Sequence, residues 1–364
     1  MAMFDKILPY HEINFNILLG KIQAKSKKCH EKFQKIFMTR PTIINNRGCG
    51  NARKVIQYFT MRQEVCAGCR KSGKNGVVFG MPLCNMRELL CAAREGDFAV
   101  GSFSVANMEM VLGILRAAEE TQSPVILQIA QVRLAHSPLA LIGPLMVAAA
   151  EDASIPVAVH FDHGKTLDAI EQALDIGFST VMLDGAQLPL AENIALTLQA
   201  KELAAEYGAD LEGEIGAVGG SEDGSEDIAI HCTAPEQAAE FMQATGVDAL
   251  AVAIGNAHGN YKEAPRLRFD TLETLQKTLD VPLVLHGGTG ISPADFRRCI
   301  ALGIRKINIA TATFDAVEQG VRAAYAAGCI QGYYDLQTAE TEAACQNALR
   351  HIEIFGCAGK ANTI

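Results

Sequence analysis

Three consecutive stretches decide the fold: Val157-Ala-Val-His-Phe-Asp162, Lys165-Thr-Leu-Asp-Ala-Ile-Glu-Gln-Ala-Leu-Asp-Ile176 and Thr180-Val-Met-Leu-Asp184. The first and third are short, mostly apolar runs, as expected of parallel strands buried on both faces. The middle stretch spaces its apolar residues three and four apart, the pattern of a helix with one buried face. Gly177 follows it where a helix end favours glycine. Strand, helix and strand in this order make a βαβ unit.

The alternation continues in both directions. Candidate strands are Phe98–Ser104, Pro124–Ala130, Val157–Asp162, Thr180–Asp184, Asp210–Gly216, Ala249–Gly255, Pro282–Gly287 and Lys306–Thr311. Helical patterns fall near 107–121, 136–152, 165–176, 189–207, 234–245, 271–279 and 292–302, with another after 313, and a short amphipathic helix precedes them at Met86–Arg94. Thr233 with Glu236 reads as a capping box, Ser292-Pro293 as an N-cap before a first-turn proline, and Gly208 as a second C-cap. Eight strands alternating with eight helices over about 230 residues predict an α/β protein of the (β/α)8 TIM-barrel type. An open doubly wound sheet is the competitor, but the first βα turn lacks a G-x-G-x-x-G pattern.

The 364 residues carry a net charge of −9, unevenly spread. Residues 1–80 hold 15 Lys+Arg against 4 Asp+Glu, whereas residues 81–364 hold 17 against 37. The expected division is therefore a basic N-terminal extension, 1–80, and a barrel domain, 81–364. An acidic body without tryptophan and with 6% aromatic residues is a poor nucleic-acid binder. The longest apolar run, Leu139–Ala150, is 12 residues and contains Gly143 and Pro144, so no membrane span is expected. Eleven scattered cysteines and no leading signal pattern point to reduced thiols in the cytoplasm.

In such barrels function sits at the C-terminal ends of the strands. Those ends carry His160-Phe-Asp162-His163, Asp184, Glu212-Gly-Glu214, His258 and His286. Three imidazoles at one rim, His163, His258 and His286, form the donor set of a catalytic zinc site with an open fourth position. Asp184 and Glu214 are either partners that orient the histidines or alternative ligands. The glycine-rich turn His286-Gly-Gly-Thr-Gly290 and the segment Asn308-Ile-Ala-Thr311 end the last two strands, where backbone N–H groups commonly hold phosphate. The acidic stretch Val218–Asp227 reads as a mobile lid able to bring a carboxylate over the substrate.

From about Met81 onward the chain resembles the class II, metal-dependent ketose-bisphosphate aldolases, most of all the branch holding tagatose-bisphosphate and shorter fructose-bisphosphate aldolases. The resemblance rests on Phe161-Asp-His-Gly164, Leu183-Asp-Gly-Ala186, Glu212-Gly-Glu-Ile-Gly216, Ala251-Val-Ala-Ile-Gly-Asn-Ala-His-Gly259, Leu285-His-Gly-Gly-Thr-Gly-Ile291 and Lys306-Ile-Asn-Ile-Ala-Thr311, in that order. It implies reversible cleavage of a ketose 1,6-bisphosphate to dihydroxyacetone phosphate and glyceraldehyde 3-phosphate. Zn²⁺ held by His163, His258 and His286 would act as a Lewis acid on the resulting enediolate. Asp184 and Glu214 would hold a second or displaced divalent ion. Asp162 would be the acid/base at the C4 oxygen, and Glu222, with Asp223 as the alternative, would move the C3 proton. Gly259, Gly287, Gly288, Thr289 and Asn308, Ile309, Ala310 and Thr311 would bind the triose, its phosphate and a monovalent cation. A homodimer or homotetramer is implied as well.

Gly287-Gly-Thr-Gly290 replaces the family's common Gly-Ala-Ser-Gly but keeps a hydroxyl. Ala310 stands where fructose-type members carry an acidic residue and resembles the tagatose type. Lys262 and Arg133 are the basic residues on offer for a second phosphate. Residues 1–80 do not match the family, and Met81-Pro-Leu resembles its usual start, so they read as an upstream extension. The alternatives are a basic arm for an acidic partner or a Cys66/Cys69 metal half-site. Rival functions are an aldolase with a different aldehyde half, a zinc barrel epimerase or hydrolase, and a sugar-phosphate sensor.

Overall fold

In the computed structural model, which describes residues 82–220, 230–260 and 265–364, eight parallel strands pair in sequence order and close into a barrel. They are β1 (Val100–Ser104), β2 (Val125–Ala130), β3 (Val157–Gly164), β4 (Thr180–Leu183), β5 (Asp210–Ile215), β6 (Ala249–Val252), β7 (Leu283–Leu285) and β8 (Ile304–Ile309). The first helix, α1 (Met86–Glu95), precedes β1. The crossovers are α2 (Met108–Glu120), α3 (Leu139–Asp152), α4 (Leu167–Ile176), α5 (Leu190–Tyr207), α6 (Pro235–Thr245), α7 (Phe269–Thr278) and α8 (Pro293–Ala301). After β8 come α9 (Thr311–Ala326) and α10 (Tyr333–Phe355). The expectations placed on residues 1–80, on Glu222 and Asp223 and on Lys262 fall outside the described residues.

Every strand residue is buried, which explains the near-continuous apolar runs. The outward faces pack on the helices through aromatic contacts. Phe103 of β1 meets His351 of α10 edge-on at 6.2 Å, and Phe296 of α8 meets Phe355 of α10 at 5.2 Å. α1 buries Met86, Leu89, Leu90 and Ala93. Such burial is worth about 1.5–3 kcal/mol for each large apolar side chain.

The helix signals divide into those the structure uses and one it does not. Gly177 and Gly208 take left-handed conformations at the ends of α4 and α5. Ser292 Oγ accepts from Asp295 N at 3.1 Å, with Pro293 opening α8. The Thr233–Glu236 capping box is not formed, and Ala234 is the N-cap of α6. The Thr233 hydroxyl instead donates to Ile215 O at 2.6 Å and accepts from Ala253 N at 2.8 Å, stitching the ends of β5 and β6 together. The single helix expected after 313 is two helices, with the left-handed Gly328 and the N-cap Gly332 between them. α10 lies close against α2 because Gly113 has no side chain: a Cβ there would sit 2.4 Å from Thr341 O.

At the end of the barrel opposite the site, Asp210 starts β5 and accepts from Arg87 N and Arg87 Nη2, both at 2.7 Å. This ties α1 to the sheet. Asp210→Ala strips both bonds from a buried position, so stability should fall by about 1–3 kcal/mol. A urea unfolding curve measures the shift, and an unchanged midpoint is the contrary result.

Candidate active site

The site begins with an irregularity in β3. Phe161 pairs with Val181 and Gly164 with Leu183, so β3 spends three steps where β4 spends two. One extra residue breaks the in–out alternation of a strand. Asp162 and His163 thereby come to the same cleft although they are neighbours in sequence. His163 itself has φ +46, a left-handed conformation that is uncommon outside glycine and concentrates at functional sites.

His163, His258 and His286 converge. Their ring centroids are 4.9 Å (His163–His258), 4.7 Å (His163–His286) and 5.9 Å (His258–His286) apart. His163 Nδ1 is 3.0 Å from Asp184 Oδ2, which leaves Nε2 facing His286 Nδ1 at 3.1 Å. His286 Nε2 is 2.8 Å from Glu212 Oε1, and its carbonyl accepts from Asn256 Nδ2 at 2.9 Å. Both ring nitrogens of His258 are buried without a hydrogen-bond partner among the described residues.

Below the histidines lies a polar layer inside the barrel. Asp162 Oδ2 accepts from Gln128 Nε2 at 3.0 Å, and Asp162 Oδ1 accepts from Asn308 Nδ2 at 3.2 Å. Gln128 also donates to Ser104 Oγ and accepts from Ser102 Oγ. Lys306 Nζ donates to Asn308 Oδ1 at 2.7 Å and pairs with Glu212 Oε2 at 2.9 Å. His160 fills the gap, with Nδ1 at 3.2 Å from Thr180 Oγ1 and Nε2 at 3.5 Å from Asp162 Oδ1.

Charge in this enclosure follows the contacts. Burial opposes ionisation of Asp162, but His163, His160, His286 and Lys306 outweigh it and hold the carboxyl well below its usual range. Glu212 lies at about 2: burial is overcome by Lys306 and by the hydrogen bond from His286. Asp184 also lies at about 2, held against burial by His163. Glu214 goes the other way, pushed up by burial and then by Asp184. Burial and its two histidine neighbours press His258 down to about 3. Burial also penalises a charge on His163, yet Asp162, Asp184 and Glu214 hold its imidazolium well above the usual histidine range. Positive charge is stabilised at that point of the cleft.

These residues fit a metal ion. One donor atom from each of the three histidines lies within 4.8 Å of the others, and the same holds for His163, Asp184 and Glu214 and for His160, Asp162 and Glu212. The 3.1 Å between His163 Nε2 and His286 Nδ1 is close to the ~3.3 Å that two imidazoles span across a tetrahedral ion with bonds of about 2.0–2.1 Å. Glu214 Oε2 is a further buried oxygen without a hydrogen-bond partner among the described residues, 3.9 Å from the Nδ1 atoms of both His163 and His286.

The remaining expected residues line the mouth. Gly287 has φ +63 and no room for a side chain, since a Cβ would lie 2.1 Å from Ala257 O. Gly288 follows it, and Thr289 Oγ1 accepts from Ala312 N at 3.0 Å, which fastens the β7 turn to the first turn of α9. Gly259 has φ +78 and open space beside it. Asn308 points into the barrel at Asp162, whereas the buried Ile309 belongs to the hydrophobic core, pairs with Phe103 of β1 and accepts from Thr313 Oγ1 at 3.2 Å. Ala310 and Thr311 form the entry to α9. Arg133, just past β2, stacks over Phe314 of α9 with 4.4 Å from its guanidinium carbon to the ring centroid. Gln128, Glu212, Asn256 and Lys306 received no role from the sequence. Their signal was a polar residue inside an otherwise buried strand or turn, which in a closed barrel points to a partner across the interior.

A closed (β/α)8 barrel that gathers three imidazoles and four carboxylates at its C-terminal mouth has the make-up of a metal-dependent barrel enzyme. The family description "Fructose-bisphosphate aldolase class-II" matches residues 84–360. A probable fructose-bisphosphate aldolase of Bacillus subtilis is 39% identical over 252 residues, 68% of this chain and 88% of that protein. The Escherichia coli K12 protein YdjI is 38% identical over 270 residues, 74% of this chain and 96% of that one. The crystal structure of the YdjI aldolase superposes with a TM-score of 0.69 at 35% identity, over 77% of this chain and 99% of that one. A putative fructose-1,6-bisphosphate aldolase from Coccidioides immitis gives 0.71 at 29% identity, with the same coverage. The chain belongs to the class II fructose-bisphosphate aldolase family, a family of metal-dependent lyases.

Gly287→Ala tests the packing of the mouth. The methyl group would force the turn away from Ala257, next to His258, and hold alanine in a left-handed conformation that costs about 1–3 kcal/mol. Weaker divalent-metal binding in a chelator competition should accompany the lower stability. Unchanged affinity would mean that the turn does not position His258.

Proposed function

We propose that this lyase is a zinc-dependent aldolase that cleaves tagatose or fructose 1,6-bisphosphate into dihydroxyacetone phosphate and glyceraldehyde 3-phosphate. One observation carries the reading: His163, His258 and His286 converge beside the ionised, buried Asp162 in a chain of the class II aldolase family. Three imidazoles suit Zn²⁺ better than Mg²⁺ or Ca²⁺. His163 Nε2, His286 Nδ1 and one nitrogen of His258 would hold the ion, with Asp184 and Glu214 available to a second divalent ion. A metal bound there would supply Lewis-acid chemistry toward the triose carbonyl.

The chain's own groups move the protons. In the cleavage direction Asp162, already ionised, takes the proton from the C4 hydroxyl. The C4 carbonyl forms, the C3–C4 bond breaks and its electron pair stays on the triose half. Glu222, or Asp223 beside it, returns a proton at C3. Gln128 and Asn308 aim Asp162 by donating to its two oxygens. The turn of Gly287, Gly288 and Thr289, the opening of α9 at Ala310 and Thr311, and Gly259 take the triose, its phosphate and a monovalent cation. Arg133 supplies positive charge for the far phosphate. Ala310 favours tagatose over fructose in this reading. The working form is a cytoplasmic homodimer or homotetramer; among the described residues no helix is long and apolar enough to cross a membrane.

The test is a coupled assay for dihydroxyacetone phosphate release, with both bisphosphates, with and without chelator and added Zn²⁺. Cleavage abolished by chelator and restored by Zn²⁺ is expected. No cleavage of either sugar by zinc-loaded protein would contradict the substrate assignment. Asp162→Asn should lower kcat by about 10²–10⁴-fold with zinc retained, and full kcat would remove Asp162 from its role. A chain beginning at Met81 should keep the activity of the full chain, in line with residues 1–80 being an extension outside the barrel domain 81–364. Loss of activity on this trimming would assign the extension a part in the enzyme.

A further inference from the structure

One of the fully enclosed charges in the barrel is an ammonium. Lys306 is fully buried on β8. β8 slips by one residue against β7 between Leu283–Ile304 and Val284–Lys306, which sets the register that sends Lys306 and Asn308 into the interior. Burying an ammonium is costly unless every donor finds an acceptor. Two partners are in place: Asn308 Oδ1 accepts a hydrogen bond at 2.7 Å, and Glu212 Oε2 forms an ion pair at 2.9 Å.

Each partner hands the contact on. A lysine ammonium only donates, so the Asn308 atom facing it must be the oxygen. The amide NH₂ of Asn308 is then turned toward Asp162, where it donates at 3.2 Å to Oδ1 and 3.3 Å to Oδ2. Glu212 spends Oε2 on Lys306 and keeps Oε1 for His286 Nε2 at 2.8 Å. A carboxylate only accepts, so Nε2 carries the hydrogen and His286 presents Nδ1, with its lone pair, toward His163. We propose that Lys306 is a positioning residue that sets the His286 ring through Glu212 and the Asp162 carboxylate through Asn308, from one buried ammonium. The inference rests on the proposed roles of His286 and Asp162 and adds what aligns them with one another. Losing a partner that orients a metal ligand typically costs 10–100-fold in affinity or activity.

The variants are Lys306→Met and the double variant Lys306→Met with Glu212→Gln, which leaves no unpaired buried charge should the single variant fail to fold. Asp210→Ala, at the opposite end of the barrel, controls for a general loss of stability. Zn²⁺ affinity of each metal-free protein is read by competition with a chromogenic chelator, and kcat and KM are read separately. Both Lys306 variants should bind Zn²⁺ 10–100-fold more weakly and lose kcat more than KM, while Asp210→Ala keeps wild-type affinity. Wild-type affinity and kcat in a folded Lys306 variant would overturn the proposal. A crystal structure of the metal-free variant separates this failure from failure of the zinc reading. His286 and Asn308 should leave their wild-type orientations, and unchanged orientations refute the positioning role even in a protein that binds no zinc.

Discussion

Four carboxylates and one ammonium share a nearly dry cleft at the mouth of the barrel, and much of the surrounding structure answers to that concentration of charge. Asp162, Glu212 and Lys306 have no exposed side-chain surface, and Glu214 has almost none. Uncompensated, such groups would be expelled or neutralised. They are instead linked by hydrogen bonds, Ser102 and Ser104 to Gln128, Gln128 and Asn308 to Asp162, Lys306 to Asn308 and Glu212 to His286, and by the ion pair between Lys306 and Glu212. The arrangement still favours further positive charge, as the raised His163 imidazolium shows. A divalent ion held among the three histidines would meet that demand and give the ring nitrogens of His258 a partner.

Backbone geometry delivers these groups. A regular strand presents alternate residues to the interior, and the extra residue in β3 lets Asp162 and His163 act side by side. Short strands serve the same end. β7 leaves the ladder after Leu285, so His286 and the glycine turn behind it are free to bend over the mouth. Gly287 then passes so close to Ala257 that two site-bearing segments pack backbone to backbone. The left-handed His163 and the close-packed Gly287 both lie at the C-terminal rim, where barrels of this type place their chemistry.

The barrel was legible in the sequence because each buried strand and each amphipathic helix leaves its own period. The histidine trio and Asp162 were legible because they fall where strands end. Other features left weaker traces. The Thr233 capping box failed since a threonine hydroxyl serves equally well between strand ends, and sequence spacing cannot rank the two uses. The strand ends of β6 and β7 were drawn too long, because glycine-rich rims continue the apolar texture after hydrogen bonding has stopped. Gln128, Glu212 and Lys306 were visible as polar breaks in apolar runs, but their meaning depends on partners on other strands, 34 residues away for Gln128 and Asp162 and 74 for Glu212 and His286. Only closure of the barrel brings them together.

The most direct measurement is anomalous diffraction on either side of the zinc absorption edge, from crystals grown with Zn²⁺. The account predicts one dominant peak bounded by His163 Nε2, His286 Nδ1 and a ring nitrogen of His258. A dominant peak among His160, Asp162 and Glu212, or no peak at the mouth of the barrel, would contradict it.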